Sequence, residues 1–350
     1  MGKLESISRV TLCSAFFAAL HVAFPSRASA DSVPFYKGKE LNLTIGTAPG
    51  GGFDTYGRLL ARHLGHHIPG EPLLIVRNMP GAGGLNQITY LLSAAPRDGS
   101  VIGLINPSLT NAPLIAPKLA NFDPLKFVWI GSINSEINTC AFWPNSNVRS
   151  IADIGPRTLM MGGVGASGGS TIDTATLRSV LGLPFQTVLG YSSLTELGLA
   201  AERGEIDGFC GLTVSTLHSL YWDAFKHGDV RVVLQTSMKS HPDLTGVTNV
   251  FSLANTTEQR QIMQIMFGAW DFGRPVVAPP DIPPERAQII RSAFDETMRD
   301  PNFLSEAARM HLEVSVTTPE EITKLLKEMY ATPAAVIDKI RSILSAAAGD

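Results

Sequence analysis

The stretch Ala48-Pro49-Gly50-Gly51-Gly52-Phe53-Asp54 separates two segments of different periodicity. Leu41 to Thr47 reads as a strand. Thr55 to His67 reads as an amphipathic helix, with Tyr56, Leu59, Leu60 and Leu64 on one face. Consecutive glycines leave backbone N–H groups uncovered, and the helix behind them turns the positive end of its dipole to the same point. That combination binds anions. A loop of this kind needs a strand to end where a helix begins, which commits the chain to an α/β architecture.

The same pattern returns three times. Leu73 to Val76 is followed by a second glycine loop, Asn78 to Gly84, and by a helix marked by Leu85, Ile88, Leu91 and Leu92. Thr158 to Met161 leads through Gly162–Gly169 into a helix over Ser170–Leu181, with Ile172, Leu177, Val180 and Leu181 inward. Phe185 to Leu189 leads through Gly190–Ser193 into a helix over Leu194–Arg203. Alternation of this length predicts parallel βαβ units, with ligands at the strands' C-terminal ends. Further strands are expected at Ser100–Ile105, Phe127–Ile133, Thr139–Trp143 and Ile206–Cys210, and Arg231–Thr236 is expected to return to the first lobe. Asn106 to Pro124 reads as loop. From Pro284 onward the tail reads as helices that close a lobe.

At 350 residues, 44% hydrophobic and 17% charged, the chain suits two lobes of moderate size. Residues 1–30 read as a cleavable signal peptide, with Lys3 and Arg9 before an apolar run from Val10 to Phe24 and a small-x-small site at Ala28-Ser29-Ala30. Without Lys3, Glu5, Arg9 and Arg27 the formal charge falls from −3 to −5, which argues against nucleic acid or an anionic membrane as the main partner. An anionic ligand must then be held by local dipoles. Cys140 and Cys210 remain after cleavage, and in an oxidising compartment they can pair or stay as buried thiols.

Several motifs compete for the glycine loops. A P-loop requires Gly-Lys-Ser/Thr, and no lysine occurs between Lys39 and Lys118. A dinucleotide fingerprint would place glycine at Thr55. Gly165-Ala166-Ser167-Gly168-Gly169 matches Gly-x-Ser-x-Gly, with Asp207 or Asp229 and His218, His227 or His241 following in the order of a hydrolase triad. This makes a secreted serine hydrolase using Ser167 the alternative reading. His63 and His67 stand at i and i+4 and could share a metal, but they equally suit the negative end of a helix dipole. Trp143, Trp222, Trp270 and Tyr191 are candidates to line a cleft or to fill a core.

Taken together, Ala48–Asp54 with Arg58–Arg62, Asn78–Gly84, Ala94–Gly99, Phe122–Pro124, Gly204–Asp207 and Ala278–Pro280 resemble the substrate-binding proteins of tripartite tricarboxylate transporters, the Bug or TctC-like family. The likeness holds from about Lys37 to Glu321. It departs at Phe53, bulkier than the family's small residue, and at Ser192-Ser193-Leu194, where a Lys-Gly-Ser/Gly-like turn is usual. The resemblance implies an α/β periplasmic-binding-protein fold of two doubly wound lobes joined by crossing strands, with residues 34–132 plus 237–350 in lobe 1 and 133–236 in lobe 2. It implies a periplasmic, monomeric, non-enzymatic protein without cofactor or metal. Such a protein closes on a small carboxylate and delivers it to membrane transporter subunits. The expected ligand contacts are Gly51, Gly52 and Phe53 with Gly83 and Gly84 from the first lobe. From the second they are Gly165, Ser167, Ser170 and Thr171 with Tyr191 and Ser192. Asp54 is expected to cap its helix and hold the loop, or else to meet a ligand ammonium group.

Overall fold

The computed structural model describes residues 34–165 and 168–349. The predicted signal peptide lies outside the described residues. So does Ser167.

Strand β1 (Glu40–Ile45) runs into the first glycine loop and helix α1 (Gly52–His63). The helix starts earlier than the Thr55 expected, because Gly52 itself takes helical geometry. Its inward side chains Tyr56, Leu59 and Leu60 are fully buried. β2 (Leu73–Asn78), α2 (Leu85–Ser93), β3 (Val101–Leu104), the short α3 (Ala112–Ile115) and β4 (Val128–Ser132) follow. The chain then passes to β5 (Asn138–Phe142), β6 (Leu159–Val164), α4 (Gly169–Leu181), β7 (Phe185–Tyr191), α5 (Leu194–Glu202) and β8 (Gly208–Thr213). Next come α6 (Val214–Thr216), α7 (Trp222–His227), β9 (Arg231–Thr236), β10 (Thr248–Asn249), α8 (Thr257–Phe267) and β11 (Pro275–Ala278). Four tail helices end the chain: α9 (Pro284–Thr297), α10 (Pro301–Arg309), α11 (Pro319–Tyr330) and α12 (Ala334–Gly349). Among the described residues, no helix is long and apolar enough to cross a membrane.

Two mixed sheets organise these elements. The first has order β2-β1-β3-β11-β4 and the second β10-β9-β5-β8-β6-β7. β1 pairs in parallel with β2 and β3, and β6 with β7 and β8, as the βαβ reading requires. Residues 133–137 carry the chain from β4 in one sheet to β5 in the other.

One strand assignment is corrected. Arg231–Thr236 stays in the second sheet, antiparallel to β5. The strand that returns to the first sheet is β11, antiparallel to both β3 and β4. The second sheet's last strand, β10, also lies past the expected boundary at residue 236.

Cys140 and Cys210 are cross-strand partners on β5 and β8, and their sulfurs are bonded. A continuous apolar layer includes Phe127 and Trp129 at β4 of the first sheet, Phe142 and Phe185 of the second, and Leu177 of α4. Helices α8 and α12 pack on α4 within it. The tail thus ties the two halves along one side.

Candidate functional site

The first glycine loop is braced from within. Gly51 precedes the helix, and its carbonyl accepts from the Thr55 amide at 2.9 Å and from the Thr55 hydroxyl at 3.1 Å. Asp54 does not cap the helix by bonding the N–H groups of its first turn. Its Oδ2 instead accepts from the Gly50 N–H and from Arg58 Nε, both at 2.9 Å, and its Oδ1 accepts from Asn78 Nδ2 at 2.9 Å. Asn78 Nδ2 donates also to the Thr47 carbonyl, which joins the end of β2 to the loop. The Arg58 bond, helped by those from Gly50 and Asn78, holds the Asp54 carboxyl down at about 2. Asp54 is 4% exposed, and its acceptors are taken up inside this network.

Arg274, just before β11, leans on the same loop from the other side. Its guanidinium lies 4.4 Å from the Phe53 ring centre and 5.1 Å from that of Tyr56, within cation–π range. A Cβ on Gly52 would stand 3.3 Å from Arg274 Nη2, so the glycine gives the guanidinium its room. Nη1 donates to the Gly273 carbonyl at 2.9 Å, and Nη2 reaches Glu136 Oε2 only at 3.5 Å. Nε is buried with no hydrogen-bond partner. Glu136 sits on the crossing segment, 1% exposed, and accepts from the Ser215 amide and hydroxyl beyond β8. Burial pushes its carboxyl up, against the pull of Arg274 and Ser215. An incompletely satisfied cation therefore stands beside uncovered loop amides, on the path between the two sheets.

The second loop runs through positive φ at Gly81, Ala82, Gly83 and Gly84. It sits against the end of β1, where a Cβ on Gly46 would come within 3.3 Å of the Gly84 Cα. Gly83 is exposed and Gly84 is buried. The first two loops therefore adjoin.

At the third loop two described hydroxyls bond within the loop. Ser170 Oγ accepts from the Val164 N–H at 2.9 Å, and Thr171 Oγ1 donates to the Gly165 carbonyl at 2.7 Å. β8 passes directly beneath. Gly211 there has φ +78°, and a Cβ would meet the Ser170 nitrogen at 3.0 Å, so only glycine fits. At the fourth loop the Ser192 N–H and hydroxyl both donate to Glu196 Oε2 at 2.7 Å, while Ser193 caps α5. Tyr191 is half-buried against the apolar cluster of the second sheet. The donors expected of Thr171 and Ser192 are thus engaged within their own loops.

Of the residues named for the hydrolase alternative, Ser167 lies outside the described residues, and the His218 and His241 rings stand 6.0 Å apart. Asp207 is held by Arg157 and by the Met160 amide, His218 pairs with Asp243, and His241 pairs with Glu313. His63 and His67 meet Glu306 and Asp300 respectively, and the described residues contain no cluster able to hold a metal.

A cavity of about 410 Å³ opens between elements of the two sheets. Its lining includes Asn106 and Ser108 after β3, Asn138, Asp173 and Thr213, and Trp270. Asp173, Asn138 and Arg274 escape motif reading. Asp173 left a trace all the same, for it is a carboxylate in register with Leu177 and Val180 on the inward stripe of α4.

No family model and no curated protein matches the sequence. Solved structures do match. A TctC solute-binding protein from Polaromonas superposes with a TM-score of 0.68 at 16% identity, over 87% of this chain and 99% of that one. The periplasmic binding protein BugD gives 0.55 at 17% identity, over 89% and 98%. An R. palustris protein solved with adipate gives 0.58 at 16% identity, over 88% and 97%. The chain therefore has the two-lobed α/β fold of the periplasmic binding proteins, in the form shared by TctC and BugD.

Proposed function

We propose that the protein is a periplasmic solute-binding protein of the TctC/Bug type, which captures a small carboxylate between its lobes and presents it to a tripartite tricarboxylate-type transporter. The observation that carries this reading is the placement of Arg274. A buried guanidinium with an unpartnered Nε adjoins the open amides of Gly51–Phe53, so cation and helix dipole address the same spot. The adipate-bound relative supports a dicarboxylate as the ligand class. In this reading each sheet forms one lobe, and the Gly51–Phe53 and Gly83–Gly84 loops grip the ligand from the first. Gly165, Ser167 and Ser170 approach from the second lobe, and the ligand draws it in by hinge motion through residues 133–137.

The test is calorimetric titration of the mature protein with adipate, shorter dicarboxylates and monocarboxylates, followed by recovery of the ligand. Saturable binding of an unaltered carboxylate supports the proposal. Absence of binding, or turnover of simple esters that depends on Ser167, overturns it.

A further inference from the structure

Asp173 is a buried carboxylate without a partner. It occupies the second turn of α4 and is 4% exposed, and its Oδ2 makes no hydrogen bond. Asn138, the first residue of β5, has an equally buried Oδ1 that nothing bonds. Both line the 410 Å³ cavity. Leaving such acceptors unpaired destabilises a fold, and native proteins rarely do so without cause.

Among the described residues no neighbouring charge compensates Asp173. β6 and β8 carry no ionisable side chain apart from the disulfide-bonded Cys210, and β7 only the Tyr191 phenol. Glu258 and Arg260 of α8, and Asp338, Lys339 and Arg341 of α12, are all exposed. Lys339 pairs with Glu258, and Arg341 with Asp338. On α4 itself the other charged residue is Arg178, which is engaged elsewhere. Burial alone pushes the Asp173 carboxyl up to about 7.

Two acceptors with nothing to accept define what the cavity lacks, a hydrogen-bond donor, preferably a cation. We infer that the cavity lined by Asp173 and Asn138 is a binding subsite for a protonated amine, so that the solute carries an ammonium group. Trp270 in the wall adds an aromatic surface of the kind that favours cations. The volume suits a small organic molecule. Asp54, the other carboxylate available for this role, is saturated by Arg58, Asn78 and Gly50. This inference rests on the solute-binding reading but does not require the ligand to carry a carboxylate.

The experiment titrates matched sets into the wild-type protein and Asp173→Asn: adipate, 2-aminoadipate and 1,5-diaminopentane, then succinate and aspartate. The wild-type protein should bind an amine-bearing member about tenfold or more tighter than its plain counterpart. Asp173→Asn should bring the two within about threefold, while melting no lower than wild type, since it removes a buried charge. The amine preference should also weaken as pH falls below 7, when Asp173 takes up a proton. Equal or better binding of the plain acids overturns the inference and leaves the carboxylate reading standing. An amine preference that survives in Asp173→Asn overturns the assignment to this cavity. Binding of no member overturns both.

Discussion

Replacing Arg274 by methionine keeps the apolar stem and removes the guanidinium. Two effects follow, and they can be separated. The first concerns stability. Glu136 is 1% exposed and would lose the cation that stands 3.5 Å away. Breaking a buried pair costs about 3–5 kcal/mol, and a contact this long belongs at the low end. The two Ser215 bonds remain, and Glu136 can take up a proton. The second effect concerns the ligand. Losing one charge-assisted contact is worth about 1.5–3 kcal/mol, or roughly 10- to 100-fold in affinity. Arg274→Met should therefore be less stable and bind a dicarboxylate weakly. The double variant Arg274→Met/Glu136→Gln should recover much of the stability and none of the affinity, while Glu136→Gln alone should bind at least as well as wild type. Urea unfolding and calorimetric titration with adipate at pH 7, run on all four proteins, give the cycle. Wild-type affinity in Arg274→Met would refute a ligand role for the guanidinium. Affinity restored in the double variant would reduce Arg274 to a support for Glu136.

Three further outcomes are expected. Asp54→Ala deletes three bonds of 2.9 Å around the first loop and should cost about 2–3 kcal/mol in urea unfolding. Because the folded carboxyl lies at about 2 against an ordinary 3.8, its contribution is intact above about pH 4 and fades as pH falls toward 2, so wild-type and variant acid-unfolding curves should converge there. Asp173 behaves oppositely, since its folded value of about 7 lies above 3.8. The Asp173 contribution should be most favourable below about pH 4 and decline by at most ~1.4 kcal/mol per unit as pH rises toward 7, a component of the slope absent in Asp173→Asn. The Cys140–Cys210 bond spans 70 residues, so removing it with Cys140→Ala/Cys210→Ala should cost about 2–4 kcal/mol and lower Tm by roughly 3–6 °C in calorimetry.

The local architecture was legible because each βα unit carries its own signal. A strand, a glycine run and a helical stripe such as Tyr56, Leu59 and Leu60 suffice to place β1 and α1. Long-range assignments were not legible in this way. Arg231–Thr236 and Pro275–Ala278 are both short apolar runs, and nothing local states which sheet either will join. The exchange is settled by tertiary pairing with β5 in one case and with β3 and β4 in the other. The site divides along the same line. The first two loops announce themselves through glycine spacing. Arg274 does not, because its meaning depends on Phe53 and Glu136, which are far away in sequence. Hydroxyls present another difficulty. Thr171 and Ser192 have the right chemistry for an anion, yet whether a donor faces a ligand or its own loop depends on backbone geometry that composition does not encode.

Capture of a small carboxylate is tested most directly by identifying what the protein holds. Protein exported to the periplasm, purified without added ligand and denatured gently, should release a single small carboxylate in near-stoichiometric amount by mass spectrometry. Refolded, emptied protein should bind that compound back unchanged. Release of a compound with no carboxyl group, or of nothing, from protein that also fails to bind any member of the titration panel, would contradict capture of a carboxylate.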